Sequence, residues 1–328
     1  MASPDLDVIA IGDAIVDVIA TATDEFLDQR GLRKGSMQLL NPDEAEALYE
    51  AMGPARETSG GSAANSMAGI AALGLRAGFI GQIADDQLGR IFAHDVLSLG
   101  VRFDTPPLTG GPPTGRCLIL VTPDAQRTMN TCPGASHLLT PDALDLDLIR
   151  SAAITFLEGY LWGPETPRAA MLKAAETAHE AGRRVAFTLS ESLCIAGRRE
   201  GVLGLIGSGL IDILFGNEDE LLHLTGSADL DAAIAGLAPQ VETIVATRGA
   251  AGALAVDRVG RVDISAVPVE RVVDTTGAGD LFAAGFLAAT CSSLPKQRCL
   301  EAGALAAAEI ISHFGARPYA DLKELVRL

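Results

Sequence analysis

"DTTGAGDLFAAGFLAA", Asp274–Ala289, sets two kinds of sequence side by side. Seven small or polar residues, two of them acidic, run directly into an almost wholly apolar stretch from Leu281 to Ala289. Gly277 and Gly279 let the chain turn sharply and expose consecutive backbone N–H groups. A helix that begins just after Gly277 leaves its first N–H groups without internal partners, and together with the helix dipole they form an anion site. That positive end keeps a carboxylate at Asp280 ionised and able to accept a proton from an incoming hydroxyl. One turn therefore offers a phosphate cradle and a general base. Ordinary N-capping by Thr276 or Asp280 is the alternative reading of the same residues.

Outward from this turn, short β-branched runs alternate with Ala-rich stretches of helical length. "DVIAIG", "RAGFIGQI", "AITFLEG", "RRVAFTLS", "DILFGN" and "ETIVATRG" read as strands, and "PRAAMLKAAETAHEAG" reads as a helix. The strands are continuous apolar runs without in–out alternation. That pattern predicts a mostly parallel sheet covered on both faces, in a doubly wound α/β fold. Two regions break the rhythm, residues 16–41 and 101–130, the second with "TPPLTGGPPTG". They predict a small β appendage built from two excursions of the chain. The α/β core then comprises residues 1–15, 42–100 and 131–328.

Bulk properties narrow the function classes. The chain has 328 residues, 48% hydrophobic, with no apolar run of the roughly 18–20 residues that span a bilayer. Asp5, Asp7 and Asp13 interrupt the N-terminal stretch, which lacks a basic n-region and does not read as a signal peptide. Twenty-five basic against 42 acidic residues leave a net charge of −17, which repels nucleic acid and anionic membranes. The five cysteines, Cys117, Cys132, Cys194, Cys291 and Cys299, are sparse and unpaired in spacing. They predict buried thiols of a cytoplasmic protein, with neither disulfide frame nor zinc site. No GxxxxGK[ST], no GxGxxG after the first strand and no HRD/DFG set is present. A P-loop, a dinucleotide fold and a protein kinase are thereby set aside.

The chain resembles the ribokinase-like, or PfkB, carbohydrate and nucleoside kinases. "DTTGAGDLFAAGF" is similar to that family's C-terminal signature and "GGSAANSMAGIAALG" to its N-terminal one, with "GNEDE" between them in the expected order. The resemblance covers essentially all of the chain. It implies ATP-dependent transfer of a γ-phosphoryl group to a hydroxymethyl group. It also implies the ribokinase-like core and lid.

Within that resemblance Asp280 is the catalytic base, and the N–H groups of Gly277, Ala278 and Gly279 form the anion hole. Such a site suffices in principle, because phosphoryl transfer depends on positioning and charge stabilisation. Asn217 and Glu220 match an NxxE element that arranges Mg²⁺ and its waters; as residues alone they also read as a helix capping box. Asp274 and the Thr276 carbonyl match positions that hold a monovalent cation such as K⁺, with a turn-capping Asp274 as the equal alternative. Thr247 and Gly249 match nucleotide-contacting positions, Gly252 reads as a plain turn, and Ala306 either borders adenine or packs a helix. Arg127, on the lid, is either an ordinary surface arginine, the commoner case, or a residue that reaches phosphate oxygens when the site closes.

At the acceptor end, Asp13 and Asp17 interrupt an apolar run and are costly to bury without hydrogen-bonding partners, which a polyol supplies. Gly60, Gly61 and Asn65 complete that site. "DEFLDQRGLRKGSMQLL" is similar to the matching stretch of adenosine kinases and makes Gln38 and Leu39 nucleoside contacts. Tyr160 and Trp162 read as core or rim. The acceptor is a nucleoside, adenosine foremost, or else a sugar of the ribose, fructose or 2-keto-3-deoxygluconate type. A sensor that kept the fold without turnover is the reading from another class. Oligomeric state stays open between monomer and homodimer.

Overall fold

The computed structural model describes residues 4–124 and 126–328. Its strands are β1 (Leu6–Ile11), β2 (Ile15–Thr21), β3 (Met37–Leu39), β4 (Ala55–Gly60), β5 (Ala77–Ile80), β6 (Val101–Arg102), β7 (Gly115–Val121), β8 (Arg127–Cys132), β9 (Ala152–Glu158), β10 (Arg184–Thr188), β11 (Ile213–Asn217), β12 (Thr243–Thr247), β13 (Ala253–Asp257) and β14 (Gly260–Ile264). Nine form one sheet in the order β14-β13-β12-β11-β10-β9-β1-β5-β6. It is parallel from β6 to β12 and antiparallel only at β13 and β14. Each strand read from the apolar runs lies in this sheet.

Strand β1 shows why the runs are continuous. Val8 and Ala10 enter one apolar cluster, while Ile9 and Ile11 enter the other, on the opposite face. Helices Ser62–Ala72, Ala278–Cys291 and Lys296–Ile310 cover the first face; Glu165–Glu180 and Glu218–Thr225 cover the second. With both faces buried, the strands carry apolar residues on both sides, with the buried Thr155 and Glu158 of β9 as exceptions.

The other five strands form a small sheet, β3-β8-β7-β2-β4. Its membership differs from the sequence-derived boundaries by Ile15 of β2 and Thr131 and Cys132 of β8, which were placed in the core, and at two larger places. Residues 55–60, assigned above to the core, are β4, paired antiparallel with β2 from Ile15↔Gly60 to Ala20↔Ala55. "ARETSG" is a polar edge strand and carries no apolar run. Val101 and Arg102, assigned to the lid, instead pair with β5 at the edge of the large sheet. On β2 the side chains alternate. Val16, Val18 and Ala20 share an apolar cluster with Leu27, Ala45 and Leu48 of helices Asp24–Gln29 and Pro42–Ala51. Ile15 and Asp17 face the cavity between the two sheets.

The helix Ala278–Cys291 is held where it is by small residues. Leu281 through Ala289 are all buried. A Cβ on Gly285 would lie 2.4 Å from the Ala302 carbonyl oxygen of the next helix, and one on Gly69 2.7 Å from the Ala284 Cβ. Two neighbouring helices thus approach this one at near backbone contact. Replacing Gly285 by Ala is expected to destabilise the fold by about 1–3 kcal/mol through overpacking, read from the urea midpoint. Gly236→Ala is the control, since nothing lies within 4 Å of its missing Cβ; it is expected to be neutral or stabilising by up to about 1 kcal/mol.

Candidate active site

The C-terminal ends of the parallel strands open onto a cavity of about 1210 Å³, roofed by the small sheet. This is where open α/β sheets bind ligands. Strand β1 delivers Asp13, β9 delivers Glu158, β11 delivers Asn217 and β12 ends at Thr247.

The turn that opened the sequence reading lies at the floor. Gly277 is the N-cap residue of helix Ala278–Cys291 and adopts φ 79°, the left-handed region, and no side chain caps the helix. Neither Thr276 nor Asp280 therefore plays the capping role. A Cβ at Gly277 would also lie 2.8 Å from that of Ala316. The Ala278 N–H closes a turn onto the Thr275 carbonyl at 3.2 Å. It is a weaker anion donor than its place in the motif implies. Gly277, Gly279 and Asp280 line the cavity, and their N–H groups have no backbone partner among the described residues.

The Asp280 carboxylate is held by two donors: Ser62 Oγ to Oδ1 at 2.6 Å and Asn65 Nδ2 to Oδ2 at 2.9 Å. Burial pushes its pKa up, and these two hydrogen bonds and the Arg317 charge pull it back. Asp17, across the cavity, is pushed up to about 6 by burial, against the pull of the Arg317 and Arg127 guanidinium groups. Asp13 accepts from Ser136 Oγ at 2.7 Å and has His137 at 3.8 Å; burial raises its pKa too. Behind Asp13, the Glu158 carboxylate accepts the Asp13 N–H at 2.6 Å and the Ala63 N–H at 2.7 Å. Burial, reinforced by the Asp13 charge, pushes Glu158 far above the usual carboxylate range.

Gly61, Gln38 and Leu39 line the same cavity. Gly61 adopts φ 92°, and any Cβ there would meet the Asp13 carbonyl oxygen at 2.2 Å. Gly60 lies behind Asp17, whose carboxylate a Cβ would meet at 2.4 Å, and is not part of the lining. Asn217 and Glu220 form a complete capping box. Asn217 Oδ1 accepts the Glu220 N–H at 2.8 Å, and the Glu220 carboxylate accepts from the Asn217 N–H at 2.9 Å and Nδ2 at 2.8 Å. Burial pushes Glu220 up to about 6. Both residues face the cavity, so the cap presents a rigid pair of oxygen-bearing groups. Such hard donors suit Mg²⁺ held through water. Thr247 lines the cavity as well. Gly249 sits in the short 3₁₀ turn after β12, outside the lining. Ala306 is fully buried in its helix and does not reach the cavity. Trp162 is buried and Tyr160 forms part of the rim.

Asp274 and Arg127 form one unit. Arg127 Nη2 meets Asp274 Oδ2 at 2.6 Å, and Arg127 Nη1 donates to Thr276 Oγ1 at 3.3 Å. The same carboxylate accepts N–H groups from Thr276 at 3.0 Å and Gly315 at 2.9 Å. A guanidinium and two N–H donors take three of the roughly four lone-pair sites of this carboxylate, so Arg127 already places a positive charge beside Asp274. Among the described residues, no cluster of three or more His, Cys, Asp or Glu side chains forms a metal site. All five cysteines are free, and no described helix is long and apolar enough to cross a membrane.

The pattern "pfkB family carbohydrate kinase" matches residues 36–322. The chain belongs to the PfkB kinase family. An adenosine kinase from Sinorhizobium meliloti is 46% identical, with TM-score 0.91 and 98% of each chain covered. A probable sugar kinase from Rhizobium etli is 41% identical, with TM-score 0.92, covering 99% of this chain and 98% of that one. A 5-dehydro-2-deoxygluconokinase from Shouchella clausii is 30% identical over 82% of this chain and 85% of its own length. This PfkB kinase is thus a phosphotransferase with an alcohol acceptor. Ser62, Glu158 and Arg317 were not singled out from sequence, although Ser62 lies inside the quoted "GGSAAN" and Glu158 inside "AITFLEG".

The crowded carboxylates set a pH dependence. Asp13, Asp17, Glu158, Glu220 and Asp280 all have folded pKa values raised above their unfolded ones. Each then stabilises the fold below its unfolded value near 4, and that contribution is lost as pH rises through the folded value, about 6 for Asp17 and Glu220. The ligand-free kinase is expected to melt at least about 2 °C higher at pH 5.5 than at pH 7.5, by calorimetry. A lower melting temperature at pH 5.5 would contradict this.

Proposed function

We propose that this kinase transfers the γ-phosphoryl group of ATP to the 5′-hydroxymethyl group of a nucleoside, adenosine foremost. The single observation behind the acceptor is the wall beside Asp17. Ile15, Cys117, Ile119 and Met129 make an apolar surface on the small sheet, continuous with the partly exposed Met37 and the exposed Leu39. A free sugar has hydroxyls on every side and gains little from such a surface. A nucleoside presents ribose hydroxyls to Asp13, Asp17 and Asn65 and the faces of its base to the aliphatic wall. Gln38, which donates to Asn130 Oδ1 at 2.7 Å, stands at the edge of that wall with its carbonyl oxygen open to a base N–H.

In the proposed reaction, Asp280 accepts the hydroxymethyl proton as the acceptor oxygen bonds to the γ-phosphorus and the bridge to the β-phosphate breaks. ADP leaves with the bridging oxygen. Ser62 and Asn65 fix the carboxylate so that a remaining lone pair faces the acceptor. The open N–H groups of Gly277, Gly279 and Asp280 stabilise charge on the equatorial oxygens. Asn217 and Glu220 are positioned to hold waters of a nucleotide-bound Mg²⁺, which supplies charge neutralisation. Arg127 supplies the positive charge that a monovalent cation would otherwise bring to Asp274. It follows that rates in potassium chloride and tetramethylammonium chloride are equal at matched ionic strength.

Steady-state rates with Mg-ATP over a panel of nucleosides and sugars test the acceptor. Adenosine is expected to be turned over and ribose, fructose and 2-keto-3-deoxygluconate to be poor; sugar turnover with no nucleoside turnover overturns the assignment. Asp280→Asn is expected to lower kcat by about 1,000-fold with ATP binding nearly unchanged. Wild-type rates in that variant would remove Asp280 from the chemistry. An inert wild type that still binds nucleoside would point to the sensor reading instead.

A further inference from the structure

Arg317 lies in the segment after helix Lys296–Ile310, outside every motif quoted above. Its guanidinium has two sets of partners. Nη2 donates to the Ser59 carbonyl at 2.7 Å and to Ser59 Oγ at 2.8 Å, and Nη1 donates to Asn65 Oδ1. Ser59 Oγ donates onward to Asp95 Oδ2 at 2.6 Å, while Asn65 Nδ2 donates to Asp280 Oδ2 at 2.9 Å. A hydrogen-bonded chain therefore runs from Asp95 on helix Gln87–Ser98 to Asp280 at the cavity floor.

The chemistry of that chain permits one orientation of Asn65. A guanidinium only donates and an ionised carboxylate only accepts, whereas an amide has one end of each kind. With Arg317 on one side and Asp280 on the other, both are satisfied only when the Asn65 NH₂ faces Asp280. The charged groups around this point are Asp17 from β2, Asp95 from its helix, Glu158 from β9, Arg127 from β8 and Asp280 itself, with the Tyr160 hydroxyl nearby.

We propose that Arg317 is a positioning residue for phosphoryl transfer: it orients the Asn65 amide toward Asp280 and places a fixed positive charge among Asp17, Asp95 and Asp280. The inference rests on Asp280 acting as the base. Of the charges that hold Asp17 down, Arg317 is the largest, and it also lowers Asp280. Removing that charge raises both carboxyl groups, so a smaller fraction is ionised at neutral pH. A guanidinium suits the place because its planar fork reaches Asn65 and Ser59 together; an ammonium does not.

The pH profile of kcat/KM for the acceptor, in wild type, Arg317→Gln and Arg317→Lys, tests this. In R317Q the acid limb is expected to move up by about one pH unit, which is about tenfold in the carboxyl equilibrium. The KM for Mg-ATP should stay near wild type. R317K should keep the limb near wild type while kcat falls, since charge persists and the fork is lost. An unmoved limb in R317Q, with activity scaled equally at every pH, overturns the proposal. If R317Q does not fold by circular dichroism, Arg317→Met, which keeps an unbranched stem without the charge, replaces it; the limb should again move up, and an unmoved limb there also overturns the proposal. Asp280→Asn separates the two ideas: if it retains activity the base assignment fails, whereas an inactive D280N beside an unmoved R317Q limb rejects Arg317 alone.

Discussion

The whole site depends on how tightly helix Ala278–Cys291 is clamped. It carries no polar face, so it folds only where helices cover it on several sides. Gly69 and Gly285 allow two of those helices to come to near backbone contact. Each glycine weakens a helix by about 1 kcal/mol relative to alanine, so close packing must offset that cost. The return is position. A helix that cannot shift along or about its axis fixes its first N–H groups and Asp280 to the end of the sheet. A helix with a solvated face would present the same residues with more freedom and poorer geometry.

The second constraint is electrostatic. The cavity gathers Asp13, Asp17, Glu220 and Asp280, with Glu158 behind Asp13, in a chain whose net charge is already −17. Burial alone pushes all five toward neutrality. The structure answers with different devices for each. Glu158 accepts two backbone N–H groups, Asp280 accepts from a hydroxyl and an amide, Glu220 accepts from a capping asparagine, and Asp17 faces two guanidinium groups. The empty protein therefore carries an electrostatic cost that cations and hydroxyl donors relieve on binding. That bias favours ligands over water in the cavity.

How much of this was legible in the sequence follows from range. The Asp274–Asp280 turn, the Asn217–Glu220 cap and the pair Asp13 and Asp17 are contiguous or nearly so, and local chemistry suffices to see them. The large sheet was readable because burial on both faces leaves uninterrupted apolar runs. Strand β4 was hidden because its sequence is polar and its identity comes from pairing with β2. Glu158 looked like the last residue of a strand; only the fold brings it to the Asp13 and Ala63 N–H groups. Arg317 touches residues more than 250 positions away, and nothing local marks it. The surroundings of Asp274 were hidden for the same reason. Arg127 approaches it from a strand of the other sheet, and a residue far off in sequence changes what an acidic turn can bind.

That Arg127–Asp274 pair ties the two constraints together. It joins the small sheet to the turn that opens the clamped helix, with both side chains at most about one-tenth exposed. An ion pair so placed is worth little as net stability, because desolvation offsets most of its attraction. Its geometric consequence is larger. Were the small sheet to move away, Asp274 would lose its guanidinium and the turn its contact at Thr276 Oγ1. Under the proposed reaction, the open N–H groups would then lose positive charge just as they met water. Coupling of this kind would make the proposed cradle strongest only when solvent is excluded, the condition under which a phosphoryl group reaches an alcohol before it reaches water.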